Sequence, residues 1–310
     1  MKIEVLLTET EIADEFYESI EARDLPEKFF YWTPLSARIW TSVVKSPPLE
    51  SLRQMWRRIG TKAESVVEHV GGPISVVSLG AGDGAQDESL LNGLIAARPE
   101  VRYYPVDASQ PLLESACARA EDAEIETLGL KADISSPSHL VVASDTPETA
   151  KIFLLAGNTL GAFDPFDMLR NVAQCMRAED RLIVDGMIFR DDVLATVDSP
   201  LGRKFAFAPL LRIGFQETDG KLRFELKRDL RHEGLYLVTR SFHVERDLSG
   251  ILAAGEISVQ RGERIAMNFS YAYTPEAFRW LIEEQAKLKI LQEYQSPFHE
   301  FVAAVCARES

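Results

Sequence analysis

The chain has 310 residues, 46% of them hydrophobic, which is enough to bury the core of one large domain or two modest ones. Its 48 acidic residues outnumber the 34 Lys and Arg, and the resulting net charge of −14 repels polyanions, so nucleic acid is not an expected partner. Three well-separated cysteines point to thiols in a reducing compartment, and the chain offers neither a signal-peptide pattern nor an apolar run of spanning length, so a cytoplasmic protein free of the membrane is expected.

Ile12, Phe16 and Ile20 recur at helical spacing and predict an amphipathic helix over 9–22. Residues 25–48 are irregular, aromatic and studded with proline. Leu52, Met55, Trp56, Ile59, Ala63, Val66, Val67 and Val70 trace one stripe, so 50–70 reads as a single helix ended by Gly71-Gly72-Pro73. Strands at 74–79, 101–106, 125–130, 151–156 and 181–187 then alternate with helices near 86–97, 110–121 and 165–177. That alternation predicts a parallel sheet with helices on both faces and a ligand beyond the strand C-termini. After about residue 195 the period changes to that of an antiparallel meander, with strands at 222–229, 235–247, 256–260 and 264–273. A helix capped by Thr274, with Pro275 in its first turn, leads to strands at 288–293 and 298–307 that return to the first sheet. Residues 74–195 and 275–310 are therefore expected to form a cofactor-binding core. Residues 1–73 and 196–274 are expected to form a second, substrate-binding lid domain, part helical and part β-rich insertion.

The strand at 74–79 runs into Gly80-Ala81-Gly82-Asp83-Gly84. Gly80, Gly82 and Gly84 let the backbone turn tightly and approach a ligand, and the helix that follows points its first amides at it. Asp107, at the next strand end, is placed to accept both hydroxyls of a ribose. The run Gly80-x-Gly82-x-x-Ala85 fits a dinucleotide, and Gly80-x-Gly82-x-Gly84 fits S-adenosylmethionine. The chain contains no Tyr-x-x-x-Lys, and its five histidines form neither an obvious catalytic setting nor a metal-ligand cluster, so no metal is expected. A third strand ends in Asp133-Ile134, an acid for the adenine amino group and an apolar side chain for the ring; a helix cap before Pro137 is the plainer reading of that acid. Glycine turn, Asp107 and Asp133 together favour S-adenosylmethionine and methyl transfer to a small molecule, on a Rossmann-like α/β, doubly wound methyltransferase sheet. An NAD-dependent oxidoreductase and a non-catalytic S-adenosylmethionine-binding protein are the alternatives.

Several runs resemble the histidine-specific methyltransferase family, whose best-known member trimethylates the α-amino group of histidine in ergothioneine biosynthesis. They are Leu25-Pro26-x-Lys28-Phe29-Phe30-Tyr31, Leu79-Gly80-Ala81-Gly82-Asp83, Tyr104-Pro105-Val106-Asp107-Ala108-Ser109, Asp133, Ala156-Gly157-Asn158-Thr159-Leu160-Gly161, Asp185-Gly186 and Asn268-Phe269-Ser270-Tyr271-Ala272-Tyr273-Thr274. The resemblance implies Gly80, Asp107, Asp133 and Ile134 on the cofactor, with Gly82, Gly84, Ala108 and Gly157 completing the expected cofactor site, and an amine or amino acid is the expected acceptor. Asn158, Thr159, Asn268 and Ser270 can orient such an amine, Tyr271 lies in the same run, and Tyr31, Trp32 and Trp40 can wall the pocket and stabilise a methylated cation. Asn158, Thr159 and Tyr31 are the candidate catalytic residues. Two positions depart from the family: an asparagine that holds the amino acid is replaced by Ala162, and a glutamate that contacts the imidazole ring is replaced by Asn268. Free histidine is therefore expected to be a poor substrate beside a different small amine.

Overall fold

The structure, a computed structural model, describes residues 1–68, 70–98, 100–147 and 150–308. Residue 69, in the stripe expected as one helix, and residues 99, 148–149 and 309–310, in the expected core, lie outside the described residues. An edge strand β1 (Ile3–Val5) leads into α1 (Glu9–Glu21), a short 3-10 turn (Glu27–Phe30), α2 (Pro34–Val44), α3 (Glu50–Gly60) and α4 (Ala63–Val66). There follow β2 (Ile74–Leu79), α5 (Ala85–Ala97), β3 (Val101–Asp107), α6 (Gln110–Asp122), β4 (Glu126–Thr127) and β5 (Gly129–Lys131). The alternation continues through α7 (Pro137–Ser144), β6 (Ala150–Leu155), α8 (Pro165–Cys175) and β7 (Arg181–Met187). Helices α9 (Val193–Val197) and α10 (Pro200–Leu211) precede β8 (Gly220–Arg228), β9 (Leu235–Val244), β10 (Leu248–Leu252), β11 (Gly255–Val259) and β12 (Arg264–Tyr273). The chain closes with α11 (Pro275–Trp280) and the hairpin β13 (Leu288–Gln295) and β14 (Phe301–Arg308).

Strands β2 and β6 are buried at every position, as befits parallel strands sealed on both faces. The large sheet has the order β1-β5-β3-β2-β6-β7-β14-β13, with β4 beside β3. It is parallel up to β7, and β14 and β13 add antiparallel. Chain order reverses between β3 on one side of β2 and β6 on the other, so a cleft opens at their C-terminal ends. This is the doubly wound, Rossmann-like α/β sheet. A three-stranded sheet, β12-β9-β8, and a two-stranded sheet, β10-β11, stand beside it. Among the described residues no helix is long and apolar enough to cross a membrane.

Several elements depart from the sequence reading. The stripe over 50–70 breaks at Thr61, which caps α3, so it forms two helices. The irregular stretch before it contains α2, whose start is written in Thr33-Pro34: the Thr33 hydroxyl accepts from Ser36 N at 3.1 Å and proline occupies the first turn. The expected strand 125–130 is interrupted into β4 and β5, and α10 and β10 were not anticipated. The division of the chain also changes at its N-terminal end. β1 pairs with β5 in the large sheet, and α3 packs on α5 through Gly60 and Gly93, where an added Cβ would come within 2.1 Å of the facing backbone. α1, the 27–30 turn and Trp32 share a separate core with α10 and the small sheets, through Ile12, Phe16, Phe30, Phe205, Phe242 and Ile257.

One buried carboxylate joins these parts. Asp185, at the end of β7, is fully buried; its Oδ2 accepts from Trp56 Nε1 of α3 at 2.6 Å and from Gly157 N at 2.8 Å, and its Oδ1 accepts from Asn158 N at 2.5 Å. Burial pushes its carboxyl up to about 6, against those three donors. Asn158 is held in the left-handed region at φ 64°, and its Oδ1 accepts from Met187 N at 2.9 Å. Removing the carboxylate orphans one buried donor, Trp56 Nε1, at roughly 1–3 kcal/mol, and two part-buried backbone amides that water can reach only in part. Asp185→Ala is expected to lower unfolding free energy by about 3 kcal/mol or more in urea denaturation, and Asp185→Asn by less; a loss below about 1 kcal/mol for the alanine variant would contradict this role.

Candidate active site

A cavity of about 490 Å³ opens at the C-terminal ends of the central strands, between them and the 27–30 turn, α2, α10 and β12. Gly80, Gly82, Asp107, Ala108, Asp133, Ile134 and Gly157 line one side. Gly80 and Gly82 take φ of 73° and 56°, the left-handed region that favours glycine. A Cβ on Gly80 would come within 2.9 Å of Thr159 Cγ2 and 3.3 Å of Ile134 Cδ1, so this turn can bring bare backbone to the cavity only as glycine. Asp107 stitches the turn to β3: its Oδ2 accepts from Gly82 N at 2.9 Å and its Oδ1 from Ser109 N at 2.8 Å. Burial pushes the Asp107 carboxyl up to about 6, against those two bonds.

Asp133 does not cap α7, whose N-cap is Ser136. Its Oδ2 accepts from Lys28 Nζ at 2.7 Å and its Oδ1 from Ser135 N at 2.8 Å and Ser135 Oγ at 2.6 Å. Burial works to raise this carboxyl, but the Lys28 charge and these bonds hold it below its ordinary value. Lys28 also pairs with Glu15 of α1. The 27–30 turn is thereby tied across the cofactor side, and Ser109 Oγ adds a second tie by donating to the Tyr31 carbonyl at 2.6 Å.

The other side of the cavity is aromatic and polar. The rings of Tyr31, Trp40 and Phe205 meet with centroids 5.1–5.3 Å apart. Beside them Glu27, only 8% exposed, accepts from the Tyr31 hydroxyl through Oε1, while its Oε2 has no hydrogen-bond partner. Burial pushes the Glu27 carboxyl up to about 7, against the Tyr31 bond, the charge of Arg240 and the nearby Asn268 amide, which lies close to the carboxyl without reaching good hydrogen-bond geometry to Oε2. Arg240, also 8% exposed, donates to Asn268 Oδ1 at 3.3 Å and to Ser270 Oγ at 2.9 Å. Opposite Arg240, β12 carries one extra residue between Ala266 and Phe269, a bulge that re-aims Asn268. The chain before Glu27 docks at that bulge, with Leu25 N donating to Ala266 O at 3.0 Å and Ala266 N to Arg23 O at 2.8 Å.

The structure brings together most of the expected site residues and leaves three outside. Asn158 and Thr159 line the cavity, but their first hydrogen bonds are structural: Asn158 Oδ1 holds Met187 N, and the Thr159 hydroxyl donates to Ala156 O at 2.7 Å. Trp32 is buried in the N-terminal core against Phe16 and Phe29, with its Nε1 donating to Glu9 at 2.8 Å. Tyr271 points to the face opposite Ser270, where its hydroxyl donates to Asp229 at 2.8 Å and accepts from Arg231 at 2.8 Å. Gly84 serves helix packing, since a Cβ there would lie 3.0 Å from Ala116 Cα of α6. Glu27, Phe205 and Arg240 were missed. A signal for Arg240 existed: it stands in phase with Val238, Phe242 and Val244, a charge at a core-facing position of β9. Among the described residues no three His, Cys, Asp or Glu side chains gather as metal ligands.

The bare glycine turn, the buried Asp107 carboxylate facing the cavity and the apolar Ile134 fit an adenosyl group, and the volume is that of a small-molecule site. Among solved structures, the chain is similar to an S-adenosylmethionine-dependent methyltransferase from Clostridium acetobutylicum, with 14% identity, 88% of this chain and 98% of that one covered, and a TM-score of 0.49. It is similar also to the CcbJ methyltransferase from Streptomyces caelestis, with 12% identity, 81% and 95% coverage and a TM-score of 0.41. A further similar structure is that of CalS10, an amino pentose methyltransferase from Micromonospora echinaspora, with 11% identity, 90% and 98% coverage and a TM-score of 0.42. No curated protein matches the chain. The sequence model of the family described as histidine-specific methyltransferase, SAM-dependent, matches residues 9–308. The chain belongs to that family, and its cofactor is S-adenosylmethionine.

Proposed function

We propose that this methyltransferase acts on the amine nitrogen of a small molecule held in the cavity, and that Glu27 accepts the proton the amine must shed. The observation that carries the reading is the buried Glu27 carboxylate, with Oε2 unpartnered, in the wall of the cavity that also contains Gly80 and Asp107. An amine arrives largely as an ammonium ion and has no lone pair until it loses a proton. A carboxyl raised to about 7 is matched to that task near neutral pH.

The bound cofactor supplies an electrophilic methyl on a sulfonium. Asp107 takes the ribose hydroxyls, Ile134 packs on the adenine, and Asp133 Oδ2 keeps a lone pair beside its Lys28 bond for the adenine amino group. Tyr31, Trp40 and Phe205 exclude water and present ring faces to a cationic nitrogen, before and after methylation. Fixing the amine in line with the methyl can supply on the order of 7–11 kcal/mol of the barrier. The 27–30 turn, α1, α10 and the β8–β12 sheets form the lobe that receives the acceptor, and the large sheet carries the cofactor.

Asp107→Ala removes the ribose partner and the tie to Gly82. Since a charge-assisted hydrogen bond contributes roughly 1.5–3 kcal/mol, S-adenosylmethionine affinity should fall at least tenfold by calorimetry. In the wild type, affinity should decline as pH drops below about 6, where the Asp107 carboxylate protonates. An alanine variant that binds normally would remove Asp107 from the site.

For Glu27 the sign is fixed by its role as a base. Turnover of primary amines under saturating cofactor should rise with pH up to about 7 and then level, because protonated Glu27 cannot accept a proton. Burial moves Tyr31 upward, away from this range. Glu27→Gln should lose roughly a hundredfold in kcat and the inflection near 7, with cofactor affinity kept. Mass spectrometry of a panel of small amines should give N-methyl products, with free histidine poor among them. An unchanged pH profile in Glu27→Gln, or methylation confined to hydroxyl acceptors, would overturn the reading.

A further inference from the structure

We infer that Arg240, with Asn268 and Ser270, forms a subsite for a carboxylate carried by the methyl acceptor, so that the acceptor is an amine that also bears an acid. The inference rests on the amine reading above and narrows it. Arg240 is more than nine-tenths buried yet forms no ion pair among the described residues. Its two hydrogen bonds go to neutral oxygens, Asn268 Oδ1 and Ser270 Oγ, and leave three of the five guanidinium N–H donors. Glu27 acts on it through space only and keeps one carboxylate oxygen unpartnered. All four side chains line the same cavity.

A buried cation without a contacting anion is costly, and a planar guanidinium that faces a ligand cavity matches a carboxylate in charge and in fork geometry. The neutral Asn268 is part of the argument. A carboxylate at that position would pair with Arg240 and cancel its charge. The neutral Asn268 accepts one Arg240 N–H through Oδ1, turns its amide toward Glu27 and leaves the positive charge for the ligand. This corner of the cavity therefore calls for an anion. Glu27 repels an acid unless it is protonated or faces the acceptor's own ammonium, so a molecule with both groups satisfies Arg240 and Glu27 together.

The test uses the protein loaded with S-adenosylhomocysteine and two probes of one shape, benzoate and benzamide, at pH 6. Benzoate should bind at least tenfold more tightly than benzamide by calorimetry. Arg240→Gln should abolish that preference and Arg240→Lys should retain part of it, with S-adenosylhomocysteine affinity unchanged in both. Glu27→Gln should tighten benzoate binding, and more so at pH 8 than at pH 6. Equal binding of the two probes by the wild type, or no binding of either, would overturn the inference without reference to any variant's folding. A benzoate preference without methylation of any amine would leave the subsite standing and remove the amine reading. Amine turnover without the preference would do the reverse.

Discussion

The Asp185 carboxylate is the constraint on which the site depends. Burying an acid at the end of β7 is unfavourable in itself, and the three donors aimed at it, one from a tryptophan on α3 and two from successive backbone amides, are what make it tolerable. Those amides belong to Gly157 and Asn158, so the bond that secures α3 also fixes the turn after β6. That turn places Thr159 against Gly80, where a single added Cβ would collide with its methyl. The glycine turn is held from its other side by β3, through Gly80 N and Ala81 N on the Val106 carbonyl at 2.8 and 3.1 Å. Three strand ends, β2, β3 and β6, are locked into one surface before any ligand arrives.

The opposite surface is contributed by one short segment. The 27–30 turn sends Lys28 to Asp133 beside the strand ends and Glu27 into the aromatic side of the cavity, while Tyr31 continues the wall with Trp40 and Phe205. Its position follows from backbone pairing of residues 23–25 with Ala266 beside the β12 bulge. A change in how that segment sits thus alters both sides of the cavity at once.

The glycine-turn side of the cavity was legible because its requirements are local. A backbone with positive φ at Gly80 and Gly82, and an acid at a strand end, leave their mark within a few residues of sequence. The aromatic and polar side is assembled from distant segments, and its lining differs from the sequence reading in both directions. Glu27 lies in a stretch without periodicity, and its burial depends on β12 and α10 packing over it. Trp32 reads as a pocket aromatic beside Tyr31, but adjacent side chains diverge, and its ring turns into the N-terminal core. Tyr271 fails for the simplest reason: next to Ser270 in a strand, it faces the other way. The helix α2 and the strand β1 were hidden differently, the first by proline that opens a helix as readily as it breaks one, the second by its length of three residues.

In the proposed reaction the methyl is delivered toward Glu27 and the Tyr31–Trp40–Phe205 wall. A crystal structure with S-adenosylhomocysteine is the decisive measurement. The ribose is expected on Asp107, the adenine against Ile134 and the sulfur facing the Glu27 end of the cavity. A sulfur turned away from Glu27, or an adenine at the Arg240 end, would contradict the proposal.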